Sequence, residues 1–258
     1  MKKDSLLWTF LGIVILILAW ELGARIINSD LIFPKPFQVL DNFLRLLQKE
    51  GFFQALLYSF WRVTAGIIIS VPLGVGIGII SALSKKGGAF FRPIFAIISA
   101  TPVMSVILIA FLALGSERTP IFTAFLMVFP VMASNTIEGV NSVDKKLQEL
   151  FKIYNLSLKE KINYLYIPAI MPFILGGLRS SLSLCWKVVV AAEILVQPLF
   201  ALGTGMQRAK AQLETPELFA WTLATVLSAS LSQFLLTLFL KIFPRFSLAN
   251  RNKISGAF

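Results

Sequence analysis

Charged residues within long apolar segments are the residues of this chain whose chemistry is most restricted. Arg62, Arg179, Lys187 and Glu193 lie in such segments, and Glu138 lies near the end of another. A charge at the centre of a bilayer costs about 2.5–3.5 kcal/mol on insertion scales, so each of these side chains needs a partner or water. They can form structural ion pairs, extend toward the membrane surface, or line a path for a charged solute.

The positions of these charges favour different roles for different residues. Arg62 and Glu193 are predicted at similar depth, near the outer ends of their segments, and can form an ion pair; a structural role is favoured for Arg62. Lys187 lies six residues before Glu193, about 240° away around a helix, so these two do not share a face. Lys187 therefore pairs with another segment, lines a water-filled pathway, or contacts an anionic solute.

Three other residues are candidates for ion pairs or for the lining of a solute pathway. Arg179 and Glu138 are predicted toward the cytoplasmic side, where they can form a gate-side or a purely structural pair. Trp186 lies deep within its segment and is a candidate for lining the pathway.

The composition argues against catalysis by this chain. It contains no histidine and one cysteine, Cys185, which excludes imidazole metal sites and Ser-His or Cys-His catalysis. It also lacks the G-x-x-x-x-G-K-[ST] loop that holds ATP in P-loop proteins. We therefore predict no catalytic residue, no metal site and no cofactor in this chain, and a membrane-embedded enzyme is disfavoured.

Hydrophobic residues make up 57% of the 258 residues and charged residues 14%, which indicates an integral membrane protein. A helix needs about 20 mostly apolar residues to span the hydrocarbon core. About six segments meet this length, and the prediction is one all-α, polytopic domain over residues 1–258, with spans at Leu6–Ile27, Leu57–Leu83, Phe91–Leu114, Pro120–Val140, Ala169–Val196 and Leu218–Phe243.

The net charge of +11 is interpreted as a topology signal and not as a nucleic-acid-binding surface. Of the 24 Lys and Arg residues, three lie in spans and seven on the predicted outer side, which leaves fourteen inside. This bias places both termini in the cytoplasm. The start, Met1-Lys2-Lys3, is also typical of a signal peptide, but the long apolar run and Trp20-Glu21-Leu22 favour a retained first span.

The polar segment at residues 144–167 separates two apolar segments and predicts two short amphipathic helices. Four apolar side chains share one face of the first helix: Leu147, Leu150, Phe151 and Tyr154. Asn155 is suited to the left-handed conformation that ends a helix, and Ser157 with Glu160 forms a capping box. A second helix should therefore begin at Leu158, with an apolar face of Leu158, Ile162, Leu165 and Tyr166.

This segment resembles the EAA loop of ABC-importer permeases. Glu149-Leu150-Phe151 stands at the EAA position, Asn155 at the glycine, and Leu165, Ile167 and Pro168 close the pattern. Both alanines and the glycine of the pattern are replaced. Further matches occur in order along nearly the whole chain: Pro34-Lys35-Pro36, Ser59-x-x-Arg62-Val63-x-x-Gly66, Pro72-Leu73-Gly74, Thr101-Pro102, Asn135-Thr136, Gly176-Gly177-Leu178-Arg179 and Ala191-Ala192-Glu193.

Together these motifs resemble the inner-membrane permeases of nitrate, sulfonate, taurine and pyrimidine- or thiamine-precursor importers, with the type I ABC importer fold. The resemblance implies that the segment at 144–167 couples to a cytoplasmic ATPase dimer, which binds the ATP. It also implies a second permease copy, in a homodimer, and an extracytoplasmic solute-binding protein that delivers the solute. The EAA-like residues would form the surface that couples to the ATPase. Residues 197–217 are the candidate contact for the solute-binding protein on the outer side.

A self-contained secondary transporter or channel remains the alternative function. Such proteins usually show paired repeats or mid-span acidic residues for ion coupling. This chain has only a few intramembrane charges and about six spans, which favours the importer permease.

Overall fold

The computed structural model describes residues 2–155 and 157–242, with the backbone alone described at 2–6, 145, 148, 151, 152, 158 and 242. This part of the chain is helical and contains no strand. Its helices are α1 (Lys2–Ile27), α2 (Pro36–Leu46), α3 (Phe52–Leu83), α4 (Lys85–Ala100), α5 (Val103–Asn141), α6 (Lys145–Ile153), α7 (Leu158–Lys161), α8 (Ile167–Val196), α9 (Leu202–Ala211) and α10 (Thr215–Ile242), with a π-helical turn at Ile162–Tyr166.

Five helices in the described residues are long and apolar enough to span a membrane. They correspond to α1, α3, α5, the helical stretch Lys159–Val196, and α10. The all-α, polytopic fold is confirmed, whereas the predicted third span, Phe91–Leu114, is not one helix.

One local feature breaks that predicted span, and a second lies directly after it. Thr101 and Pro102 are extended, with ψ of 126° and 129°, so α4 ends at Ala100. A residue before proline avoids the helical region, and proline has no N–H to donate. The rest of the segment is joined to the following one within α5, where Gly115 has φ 74° and ψ 176°. Only glycine adopts such a backbone readily, and the chain changes direction there.

The directions of the helices show that the chain still crosses the bundle between α3 and the second part of α5. Cβ atoms built at Gly66, Gly74 and Gly78 would meet Ala124, Met132 and Thr136 in the same order, so these two helices run parallel. Parallel neighbours require a return crossing between them, which α4 and the first part of α5 supply. The Phe95 and Phe129 rings, 5.6 Å apart, join the returning segment to the next one.

The core of the bundle is formed by α3, α5, α8 and α10. Helix α8 runs antiparallel to α5, because Gly139 approaches Ile170 and Gly177 approaches Asn135. The largest buried side chains include Trp186, Phe52, Met132 and Val128. Helix α1 lies at the periphery: among residues 7–27 only Ala24 is buried, and Trp20 anchors the helix by donating from Nε1 to the Pro34 carbonyl at 2.9 Å.

Candidate functional site

The polar segment forms a short helix, a turn and the start of a second helix, as the local sequence predicts. Helix α6 ends at Ile153, and Asn155 takes the left-handed conformation with φ 50°. The Ser157 N–H donates to Glu160 Oε2 at 2.8 Å, and the Glu160 N–H donates to Ser157 Oγ at 3.3 Å. This reciprocal pair is the predicted capping box, so the turn and the start of the next helix are confirmed.

The second helix of this hairpin is not a separate element. Helix α7 leads into the π-helical turn, and the turn leads directly into α8, so the helical path runs from Leu158 to Val196. Pro168 lies in the first turn of α8, and the Ile167 N–H donates to the Ile162 carbonyl, a five-residue spacing. Because a proline ring clashes with the carbonyl four residues earlier, a wider turn at this point avoids the conflict. The second arm of the hairpin is therefore an extension of α8, a membrane-spanning helix.

The hairpin carries an exposed apolar surface. Leu147 and Leu150 are 44% and 45% exposed, and Tyr154 is 73% exposed. Glu149 is exposed beside them, whereas the side chain of Phe151 lies outside the described residues. In the second arm Leu165 is buried, Ile167 is 41% exposed and Pro168 is half-buried. We call the exposed residues Leu147, Leu150 and Tyr154 the hairpin face. It lies at the end of the bundle where α5 ends and α8 begins.

The opposite end of the bundle contains a buried charge cluster. Arg62, 2% exposed, donates from Nη1 to Glu193 Oε1 at 3.0 Å and from Nη2 to Glu117 Oε2 at 2.6 Å. The predicted pair of Arg62 and Glu193 therefore exists. Ser59 Oγ lies 2.8 Å from both oxygens of Glu193, and the Gly203 N–H donates to Oε2 at 3.2 Å. Both oxygens of the buried Glu193 carboxylate are therefore hydrogen-bonded.

The cluster also fixes the loop that follows α8. Arg62 Nη1 donates to the Phe200 carbonyl at 2.8 Å, and the Leu202 N–H donates to Ser59 Oγ at 3.0 Å. The exposed carboxylate of Glu117 accepts from the Leu199 N–H at 3.1 Å. Through these contacts α3, α5 and α8 hold residues 199–203 in place. Ser59 and Glu117 were missed as cluster members by the sequence analysis, because nothing in local sequence shows which loop reaches Arg62.

The remaining predicted pathway residues are not brought together. Trp186 is buried between α3, α8 and α10, where Nε1 donates to Ser232 Oγ at 3.1 Å. Arg179 and Glu138 are both exposed, and among the described residues no ion pair joins them. Lys187 is exposed on α8 and also has no carboxylate partner within the described part of the chain.

An open cleft of about 350 Å³ lies beside the cluster at the same end of the molecule. Residues from the 49–51 turn, α3, the 199–201 loop, α9 and α10 line it, including Lys49, Arg208 and Glu217. Lys49 is paired with Glu217 at 2.8 Å. The described residues contain no group of three or more His, Cys, Asp or Glu side chains placed to hold a metal ion.

Comparison with known proteins relates this architecture to transporters. The chain is 29% identical to a protein of Brucella melitensis described as a probable ABC transporter permease, over 82% of this chain and 87% of that one. It is 27% identical to the taurine transport system permease of Escherichia coli, over 80% and 77%, and 27% identical to the nitrate import permease of a Synechocystis strain, over 72% and 70%.

A solved structure shares the fold. The crystal structure of an amino acid ABC transporter with histidines superposes with a TM-score of 0.61 at 17% identity, covering 78% of this chain and 98% of that one. The family model for the inner-membrane component of binding-protein-dependent transport systems matches residues 74–246, more than half of the chain. The chain therefore belongs to this family of ABC-importer permeases and is a multi-pass membrane protein.

Proposed function

We propose that the hairpin face is the surface that binds a separate ATPase subunit, and that this subunit drives solute import through the chain. The observation that carries the proposal is the exposed apolar surface of Leu147, Leu150 and Tyr154 on a hairpin continuous with a membrane-spanning helix. Such a surface on a water-facing loop is stabilised by burial against a protein partner. A push on α7 is transmitted along α8, because the helical path from Leu158 to Val196 is unbroken.

Two copies of the chain form the importer, with the pathway between them and the hairpins in the cytoplasm. The charge bias of the sequence supports this orientation, since fourteen of the 24 basic residues fall on the side of the hairpin. The outer cleft beside the 199–201 loop is the contact region for a solute-binding protein, and the cluster around Arg62 keeps that loop rigid. Most of the solute specificity then belongs to the binding protein.

The solute belongs to the group of nitrate, sulfonates, taurine or pyrimidine and thiamine precursors. The support comes from relatives named for taurine and nitrate transport. ATP is bound by the partner subunit and not by this chain.

The test is retention of a co-expressed ATPase subunit of the importer during purification of this chain in detergent. Leu150→Asp and Tyr154→Asp each place a carboxylate on the hairpin face, and we expect about a tenfold or greater loss of bound ATPase, as for a central interface residue. Lys159→Asp is the matched control, because it adds a carboxylate to the same hairpin at an exposed polar position. Retention should be unchanged in this control.

An equal loss of bound ATPase in all three variants would contradict specific binding to the hairpin face. Uptake by this chain alone, without ATP or an ATPase, would instead favour a self-contained transporter.

A further inference from the structure

An exposed polar stripe runs along α8. Gly176, Ser180, Ser183 and Lys187 recur every three or four residues and therefore share one helical face. All four are exposed, and the half-buried Ala191 continues the same stripe toward the outer end. A helix that spans a membrane and faces lipid exposes apolar side chains, as α10 does with Leu227, Leu231 and Leu238. The stripe on α8 is therefore unlike a lipid-facing surface.

This stripe lies on the side of the α5–α8 pair that α3 does not cover. Helix α3 packs against both helices, because a Cβ at Gly66 would meet Ala124 of α5 and Cys185 of α8. From the helical angles, the stripe points away from that contact. On α5 the exposed Ser134 and Glu138 also point away from α3, so the two helices share one open polar face.

Lys187 lies deep along this face. It is nine residues from Val196, about 14 Å along the helix, and twenty residues from Ile167, about 30 Å. Its neighbour Trp186 contacts Ser232 of α10, ten residues before the end of that helix. Lysines that reach the membrane surface along their own side chain lie near helix ends, whereas Lys187 is more than two turns from the nearer end.

No carboxylate is available to neutralise this lysine within the described chain. Glu193 is occupied by Arg62, Ser59 and the Gly203 N–H. Glu138 lies near the level of Gly177, because the neighbouring Asn135 approaches that glycine. Gly177 is ten residues before Lys187, about 15 Å along α8. A charge in this position is compatible with the membrane only if water or an anion reaches it.

We propose that Lys187 lines the solute pathway and contacts anionic solutes as they pass, which makes it a residue that determines specificity. The inference rests on the proposed function, since it assigns this open face to the import pathway between two copies. In a symmetric pair the same face of each copy approaches the other around the two-fold axis, so two Lys187 side chains lie at equal depth. Like charges repel unless water or an anion lies between them, and rings of basic residues select anions in pores.

The first experiment measures the accessibility and the electrostatic potential of this face in the complete importer, reconstituted in lipid vesicles. Cys185 is fully buried, so the natural chain supplies an unreactive background for cysteine labelling. Ser183→Cys is labelled with a negatively or a positively charged thiosulfonate reagent of matched size. We expect faster reaction with the negative reagent, and about a tenfold fall in the ratio of the two rates when Lys187→Gln is added.

Leu231→Cys is the matched control, since it is exposed, lies at the depth of Ser232 and lines a groove with Phe60 of α3, the helix from which the polar stripe points away. We expect it to stay unlabelled. An unreactive Ser183→Cys, or a rate ratio that Lys187→Gln leaves unchanged, overturns the proposal.

The second experiment measures ATP-driven uptake of nitrate, methanesulfonate and taurine by the same importer. Lys187→Arg should retain uptake, and Lys187→Glu should reduce it at least about tenfold while the ATPase subunit stays bound. Equal uptake by the Glu variant overturns the role of Lys187. If the natural chain takes up these solutes without ATP or an ATPase subunit but labelling of Ser183→Cys still depends on Lys187, the proposed function fails while the assignment of the pathway face holds.

Discussion

At the scale of single residues, Arg62 is stabilised by partners from several parts of the chain. Its guanidinium donates to two carboxylates and one carbonyl, and the Tyr58 ring lies 5.8 Å from its central carbon. The buried carboxylate of Glu193 is completed by Ser59 and Gly203. A buried ion pair gains little over an apolar replacement, but the loss of one partner leaves a charge without compensation. The cluster is therefore sensitive to single substitutions and less so to paired ones.

Arg62→Met should destabilise the protein by about 3–5 kcal/mol, because Glu193 then remains buried without its cation. Thermal unfolding in detergent would show this as a lower melting temperature. Adding Glu193→Gln should recover part of the loss, since the unpaired charge is removed. Glu117→Gln is the control: its carboxylate is more than half exposed, so the expected cost is below about 1 kcal/mol. An Arg62→Met protein as stable as the natural chain would contradict the structural role of the cluster.

At the scale of elements, α3 approaches α5 closely because small residues line their contact. A Cβ at Gly74 would lie 2.6 Å from Met132 Cβ, and one at Gly78 would lie 2.7 Å from Thr136 Cβ. Without a hydrophobic driving force in lipid, helices associate through such close packing. In contrast, Gly76, on the same helix, has nothing within 4 Å of its Cβ position. The two kinds of glycine therefore have different structural roles.

Gly74→Ala should destabilise the bundle by about 1–3 kcal/mol, because the added methyl group forces α3 and α5 apart. Gly76→Ala should be neutral or slightly stabilising, since alanine favours helix and meets open space. The measurement is the melting temperature of each variant in the same detergent. A larger loss for Gly76→Ala than for Gly74→Ala would be inconsistent with the parallel contact of α3 and α5.

At the scale of the whole molecule, the chain passes six times between the two ends of the bundle, although only five described helices are long and apolar enough to span a membrane. The broken passage from Lys85 to Leu114 supplies the sixth crossing, as the parallel α3 and α5 require. Six crossings place the start of α1 and the end of α10 at the same end as the hairpin. The charge cluster and the cleft beside it lie at the other end.

Single cysteines at the two ends should be labelled from opposite sides of the membrane. Gln48→Cys, beside the outer cleft, should react with an impermeant thiol reagent in intact spheroplasts, whereas Lys146→Cys, on the hairpin, should react only after permeabilisation. The buried Cys185 of the natural chain provides the blank. Labelling of Lys146→Cys in intact spheroplasts would place the hairpin outside the cytoplasm and would contradict the proposed binding of an ATPase subunit there.

Features that depend on a few neighbouring residues could be predicted from the sequence. The turn at Asn155, the capping box of Ser157 and Glu160, and most of the spans follow from local backbone preferences and from the length of apolar segments. The pair of Arg62 and Glu193 could be predicted as well, because two opposite charges at similar depth in lipid have few other partners. The motifs along the chain were sufficient to indicate the family.

Features that depend on contacts between distant segments could not be predicted from local sequence. The tertiary structure joined the second arm of the hairpin to α8, divided the predicted third span at Pro102, and brought Glu117 and the Phe200 carbonyl to Arg62. It also buried Trp186 while leaving Lys187, its neighbour in sequence, exposed. Hydropathy measures how well a segment suits the membrane, but which face meets another helix is set by packing between helices far apart in sequence.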